Sequence, residues 1–501
     1  MKMHQPSKII TKRSNRVSLF KMSRVIFLLG FILMFIGSLA YSSSLAQGQT
    51  YYVNSKTGSD SNNGLSMDTP WKTLEEASRM TYGPGDQLLL CNGCTFSGNL
   101  ELKGGGTNDA PIVVSHYEPQ DGTKALPVIN AQGYLVAMDI RNFKYLVVNG
   151  LEITSDAGEP VESSARTERY GVRILADQPG EYQHIQLKNL YIHDIFATES
   201  VKDKGKEPTT SQGFGIGIYM WGEGAYLKDI RIENCRIETT GKTGIKIRGN
   251  RFARVNGVQI LNNQLKHIGG PGVVPLLCQN LIFRGNEVDH SGYFGDSRMH
   301  GRGSCIWTVK SDNVLIEHNR LMHARGKMDS YGAHIDLECR HVVIQYNMSI
   351  DNAGGFVQIL GDNYNCAYRY NISVNDGHRV KGLDGGVSQG RLLRLCRVSE
   401  DASGPFDSYI YNNTVYVKEN ISTEFTFGLS SEGILLANNI FYILGPTDDL
   451  PCWPRTEGNQ IDHVVFRNNL YKQANTIPQS LIIQDSNPFY GNPEFAEPGG
   501  F

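Results

Sequence analysis

A short unit recurs along most of the chain: a polar turn, an alternating apolar run, one or two asparagines, then another alternating run. It reads FKYLVVNGLEI at 143–153, YQHIQLKNLYI at 182–192, VNGVQILNNQL at 255–265, RHVVIQYNMSI at 340–350 and EGILLANNIFY at 432–442. With Asn263, Asn286, Asn319, Asn347 and Asn371 as markers, the steps are 23, 33, 28 and 24 residues. Repeats of about 20–50 residues mark solenoids or arrays. The runs alternate with period 2 and are rich in Val, Ile, Tyr and Phe, which is the strand signature. No long amphipathic helix separates them, which excludes helical solenoids and βαβ sheets. The steps are too short for the roughly 40–45 residues of a propeller blade. A parallel β-helix fits: a few short strands per coil, with Asn at a repeated turn, able to adopt the left-handed conformation and stack its amide on the next coil. Longer steps then mean loops inserted at turns.

Composition agrees. There are 54 glycines in 501 residues, more than the usual ~7%, without a collagen period. A length of 501 residues suggests up to about three domains, and the repeat reduces that to one capped solenoid. The boundaries read as 1–46 signal peptide and N-terminal extension, 47–100 N-terminal cap and first coil, 101–475 parallel β-helix, and 476–501 C-terminal tail. Residues 25–40 (VIFLLGFILMFIGSLA) follow Lys21 and Arg24 and precede Ser44-Leu45-Ala46, a small-x-small cleavage site. Sixteen apolar residues fall short of the ~20 a spanning helix needs. The expectation is export to the periplasm or beyond, cleavage near Ala46, and no stable membrane anchor afterwards. Met22 is a plausible alternative start. Residues 1–46 hold seven cations and no acid, so their removal takes the net charge from −2 to −9. That argues against a nucleic-acid partner, and a monomer is expected.

Nine cysteines are scattered, and most sit in apolar runs as small buried residues. Cys91-x-x-Cys94 is a possible bridge in an oxidising compartment. In the cap, TPWKTLEEA at 69–77 reads as a helix start with Thr69 as N-cap and Pro70 first.

The opening YYVNSKTGSDSNNGLSMDTPWKTLEEAS…GPGDQLLL and the coils VVIQYNMSIDNAGGF and YRYNISVNDG resemble secreted bacterial right-handed parallel β-helix proteins of the pectate-lyase-like superfamily. The resemblance covers most of residues 50–475. It implies an all-β right-handed parallel β-helix with a short N-terminal helical cap. It also implies a carbohydrate-active protein: a glycoside hydrolase, a polysaccharide lyase or a non-catalytic glycan binder, meeting a polysaccharide or oligosaccharide. Paired carboxylates favour hydrolysis, for which no cofactor is required; calcium would enter only with a lyase.

Residues 296–384 are densest in reactive side chains. Aligning Ile306–Lys310, His334–Glu338 and Phe356–Leu360 points Trp307, Val309, Ile335, Leu337, Val357 and Ile359 inward. His334, Asp336 and Glu338 then share an outward face, flanked by Thr308 and Lys310 on one side and by Phe356 and Gln358 on the other. Positions i and i+2 lie about 7 Å apart, a spacing that reaches either glycosidase carboxyl separation. Asp336, Glu338, His334 and Asp384 are the candidate catalytic residues. His300, Arg302, Lys310, Gln358, Asp376, His378 and Lys381 are candidate substrate contacts, with Trp221 as an aromatic platform for a sugar face. Lys310 is expected beside Glu338.

Overall fold

Three long parallel sheets carry the chain. Each coil passes through the first sheet (14 strands, from Thr50–Val53 to Val464–Arg467), the second (14 strands, from Thr95–Ser97 to Phe489–Tyr490) and the third (12 strands, from Leu100–Leu102 to Thr447–Asp449). Every strand pairs in parallel with its equivalent on the next coil, as in Val172↔Ile216↔Ile245↔Val273↔Ile306. The computed structural model describes residues 48–156, 158–161, 163–201, 212–399, 401–428, 431–449, 464–478, 480–481 and 485–495. The apolar run 25–40, Ala46, Met22, Cys452 and most of loop 196–212 lie outside the described residues.

Alternation explains the interior. Val, Ile, Leu and Phe point inward from all three sheets and form one continuous fully buried core. The first-to-second-sheet corner carries the repeated asparagines. Asn263, Asn286, Asn319, Asn347, Asn371, Asn413 and Asn439 each donate from Nδ2 to the Oδ1 of the next, at 2.9–3.1 Å, and the row ends with Asn469 donating to Asp485 Oδ2 at 2.8 Å. Each Oδ1 also accepts the backbone N–H of the preceding member, as Asn371 does from Asn347. The stacked amide is therefore as expected, but the left-handed residue is not the ladder Asn. It is the residue before it: Asn262, His318, Tyr346, Tyr370, Asn412, Asn438 and Asn468. That residue makes the bend, which leaves the next side chain pointing into the coil.

Two other expectations shift. The cap helix α1 (Leu74–Arg79) is capped by Thr73, whose Oγ1 accepts from Glu76 N at 3.2 Å. Thr69 is four residues too early, because Trp71 is buried and its backbone pairs with Val53. Asp60 then accepts the Lys72 and Thr73 N–H groups. Cys91 and Cys94 are separate buried thiols, each hydrogen-bonded to Asn54. The insertions 292–305, 323–332 and 375–390 fall between the second and third sheets, so they rise beside the outer face of the third.

Candidate active site

The outer face of the third sheet holds one row of side chains at coil spacing. Pairing aligns Trp307 with His334, Ile335 with Ile359 (and so His334 with Gln358), Gln358 with Arg394, and Arg394 with Thr426. Ile306, Ile335, Val357, Ile359, Leu393 and Leu395 alternate with them into the core. On the first of these strands the expected register is off by one. Trp307 points outward, and Thr308 points inward, fully buried, with its hydroxyl on the His334 carbonyl. Such a slip exchanges the two faces of a strand. Phe356 also turns inward, against Tyr368.

Two carboxylates meet this row. Asp336 directly follows the strand Ala333–Ile335 and accepts the Trp307 indole N–H at 2.5 Å. Asp329 comes from the loop before that strand and accepts Arg302 Nε at 2.7 Å. The loop is braced. Ser330 Oγ donates to the Gly326 carbonyl at 2.9 Å, and buried Arg379 donates to the carbonyls of Gly326 and Asp329 at 3.0 and 3.1 Å. Asp329 and Ser330 both take left-handed φ, 56° and 71°, an uncommon state that the surrounding bonds must hold in place.

The environments of the two carboxyls drive them apart. Burial, helped by the Asp329 charge, pushes Asp336 up to about 6. Burial also pushes Asp329 upward, but the Arg302 charge, with His334 and Arg394, outweighs it and holds that carboxyl below its ordinary value. Burial and the charges of Arg394 and Arg302 push His334 down to about 4, against the pull of Asp329, so the ring is neutral at neutral pH. Ser304 Oγ accepts the Tyr331 N–H at 3.0 Å and shares a second hydrogen bond with His334 Nδ1, 3.0 Å away. The other ring nitrogen, Nε2, has no partner. The Gln358 amide is 0% exposed, and neither its oxygen nor its nitrogen is bonded; Thr426 Oγ1 is likewise alone. Further along, Glu424, beside Arg391 at 3.8 Å, is pushed up to about 7 by burial.

The other sequence candidates separate. Glu338 is exposed, sits at a left-handed turn position and pairs with Lys310 at 2.6 Å. It is a surface ion pair at the corner leading to the first sheet, not a partner for Asp336. Asp376 is fully buried in an interior ladder, where it accepts Asn352 N and Nδ2 at 2.9 Å and Ser373 Oγ at 2.7 Å; burial pushes it up to about 7. It faces the core and not a ligand. His378 contacts Arg325 and Asp351, and it lines a cleft of about 410 Å³ with Asp384. Asp384 is exposed there, and Lys381 is exposed on the same loop. His300, within the 292–305 loop, is buried. Trp221 is 54% exposed against Tyr219, on the third sheet three strands before Trp307. Of the candidates, Arg302, His334, Asp336 and Gln358 come together. Asp329, Trp307, Ser304 and Arg394 complete the site and were not singled out from the sequence.

Comparison with known proteins agrees with this architecture. A family described as the right handed beta helix region matches residues 213–388. A lacto-N-biosidase of Bifidobacterium longum subsp. longum is 24% identical over 530 residues, covering 88% of this chain and 31% of the relative. The chain thus spans about a third of the length of that curated relative. The crystal structure of a GH136 lacto-N-biosidase from Eubacterium ramulus superposes with a TM-score of 0.59 at 21% identity, covering 86% of this chain and 72% of the other. A PL6 family alginate lyase, AlyGC, gives 0.53 at 13% identity, over 87% of this chain and 53% of the other. The fold is the right-handed parallel β-helix implied by the sequence resemblance.

Proposed function

We propose that this chain is an exported glycoside hydrolase that cleaves an oligosaccharide at the Asp329–Asp336 site. The observation that carries this reading is the pair of carboxyls held at opposite ends of their range beside a row of unpartnered polar atoms. Glycoside hydrolysis needs one protonated and one ionised carboxyl, and such divergent environments assign the roles. Asp336, pushed up to about 6, holds its proton up to that pH, well above the ordinary carboxylate range, and donates it to the leaving glycosidic oxygen. Asp329, kept ionised by Arg302, serves as the carboxylate that attacks or activates water. Trp307 is partly exposed and offers an apolar face for a sugar ring while its N–H orients Asp336. Nε2 of His334 and the amide of Gln358 are hydrogen-bonding groups for sugar hydroxyls.

The name lacto-N-biosidase on the relatives supports a lacto-N-biose-containing oligosaccharide as the first substrate to try. The sequence resemblance to lyases keeps elimination on a uronate as the competing reaction, with Arg302 and Arg394 as its cations. Incubation with neutral and uronate-containing oligosaccharides separates the two. New reducing ends without ultraviolet absorbance from an unsaturated product support hydrolysis. Growth of that absorbance, or full activity in Asp336→Asn, overturns it. Export rests on the apolar run at 25–40 and the site at Ala46; N-terminal sequencing of the cell-envelope or medium fraction tests it.

A further inference from the structure

A second convergence of polar atoms is carried by the second sheet. Asp289 lies in the strand Glu287–Ser291, and His290 follows it with a left-handed φ of 59°. On the next coil, Met322 pairs with Asp289, and His323 comes next with a φ of 53°. The matching bends bring the two imidazoles side by side, with ring centroids 5.1 Å apart. Both Nδ1 atoms lie 2.7 Å from the same carboxylate oxygen, Asp289 Oδ1. The three atoms lie within 4.8 Å of one another. His267, one coil earlier, packs against His290 at 5.4 Å, and Tyr293 packs against His267 at 4.6 Å, so the outer ring is buttressed. The cluster is not sealed: the two His side chains are each 33% exposed, and His290 forms part of the wall of the cleft of about 410 Å³ that Tyr293, Phe294, Arg325 and Lys327 also line.

One carboxylate oxygen and two imidazole nitrogens form a borderline donor set that suits zinc-type cations and not calcium or magnesium, which take oxygen ligands. Tetrahedral zinc, with bonds of about 2.0–2.2 Å, sets its ligand atoms about 3.3 Å apart. The two N···O contacts of 2.7 Å open by about half an ångström as a metal replaces the shared protons. The donors sit on adjacent rungs of a rigid sheet, which fixes their spacing before any metal arrives.

We propose that Asp289, His290 and His323 form a three-ligand site for a zinc-type divalent cation, with its remaining coordination position open to solvent on the cleft side. The site is carried by a different sheet from the Asp329–Asp336 pair, and its test does not depend on the hydrolase reading. The full chain, stripped with chelator, is titrated with Zn²⁺ alone by calorimetry and native mass spectrometry, and with Co²⁺ by visible absorption. The expectation is an equivalent of Zn²⁺ whose affinity falls at least about tenfold in His290→Ala and in His323→Ala. Co²⁺ should give tetrahedral d–d bands that both variants lose. Absence of zinc binding, or unchanged affinity in the variants, overturns the proposal. If an alanine variant loses its fold by circular dichroism, Asp289→Asn keeps the shape and removes only the charge. It should show the same loss of affinity, and wild-type affinity in it overturns the site.

Discussion

The interior asparagine ladder and the outer row of the third sheet are built alike: buried polar side chains stacked one per coil. They differ in satisfaction. Asn347 donates to the Ile316 and Gln345 carbonyls and to Asn371 Oδ1, and its own oxygen accepts Asn319 N and Nδ2. Every hydrogen-bonding atom of that amide is used. Gln358, an amide equally buried on the same solenoid, uses none of its side-chain atoms, and His334 uses one ring nitrogen of two. An unpaired buried polar group costs roughly 1–3 kcal/mol. A fold that leaves several in one row, beside two carboxyls of opposed character, has a surface shaped for a polar ligand. The ladder is shaped for the chain itself.

The largest effects should separate the two rows most sharply. Asp336→Asn removes the proton donor and should lower kcat by about 10²–10⁴-fold, with a melting temperature at or above wild type, read by steady-state kinetics and calorimetry. Asn347→Ala should do the reverse. It leaves the Asn319 groups and two carbonyls unpaired, so chemical denaturation should show a loss of about 2–4 kcal/mol, while activity per folded molecule stays near wild type. Gln358→Leu removes polar atoms that have no partner. It should raise stability by about 1 kcal/mol and lower kcat/KM by about tenfold; a loss of stability there would blur the distinction. The pH dependence is next. Hydrolysis needs Asp336 protonated, so activity should fall as pH rises through about 6, whereas the acid limb, set by Asp329, should lie below about 4.

The smallest effect concerns Asp376, buried and pushed up to about 7. Its unfolded value is about 3.9. Its contribution to stability is therefore complete below that value and is lost as pH rises through about 7. Asp376→Asn should be close to neutral at pH 4 and more stable than wild type by about 1 kcal/mol at pH 8, by thermal melting.

The fold was largely legible because the coil repeats. Alternating runs and the markers from Asn263 to Asn371 describe strands and a ladder that every coil rebuilds. The site was legible only where it lies on a strand. Asp336, His334 and Gln358 follow from alternation. Trp307 lies on the opposite face from the one its spacing predicts, because the turn from its strand to the SDNV run is one residue shorter than the matching turn after His334. Glu338 looked like the partner of Asp336 at spacing i+2, but the strand ends at Ile335 and the chain bends left-handed at Glu338. Asp329 sits in an irregular loop whose course is set by Arg302, Ser330 and Arg379. No periodicity reports that geometry. The His290–His323 pairing depends on equivalent bends in two coils separated by an insertion, which the sequence spacing hides.

The most direct test is a crystal structure of Asp336→Asn with a lacto-N-biose-containing oligosaccharide. The account predicts a sugar ring against Trp307, with hydroxyls hydrogen-bonded to His334 Nε2 and the Gln358 amide. It also predicts the scissile oxygen beside residue 336. A sugar seated instead in the His290–Arg325 cleft, with His334 and Gln358 still unpartnered, would contradict it.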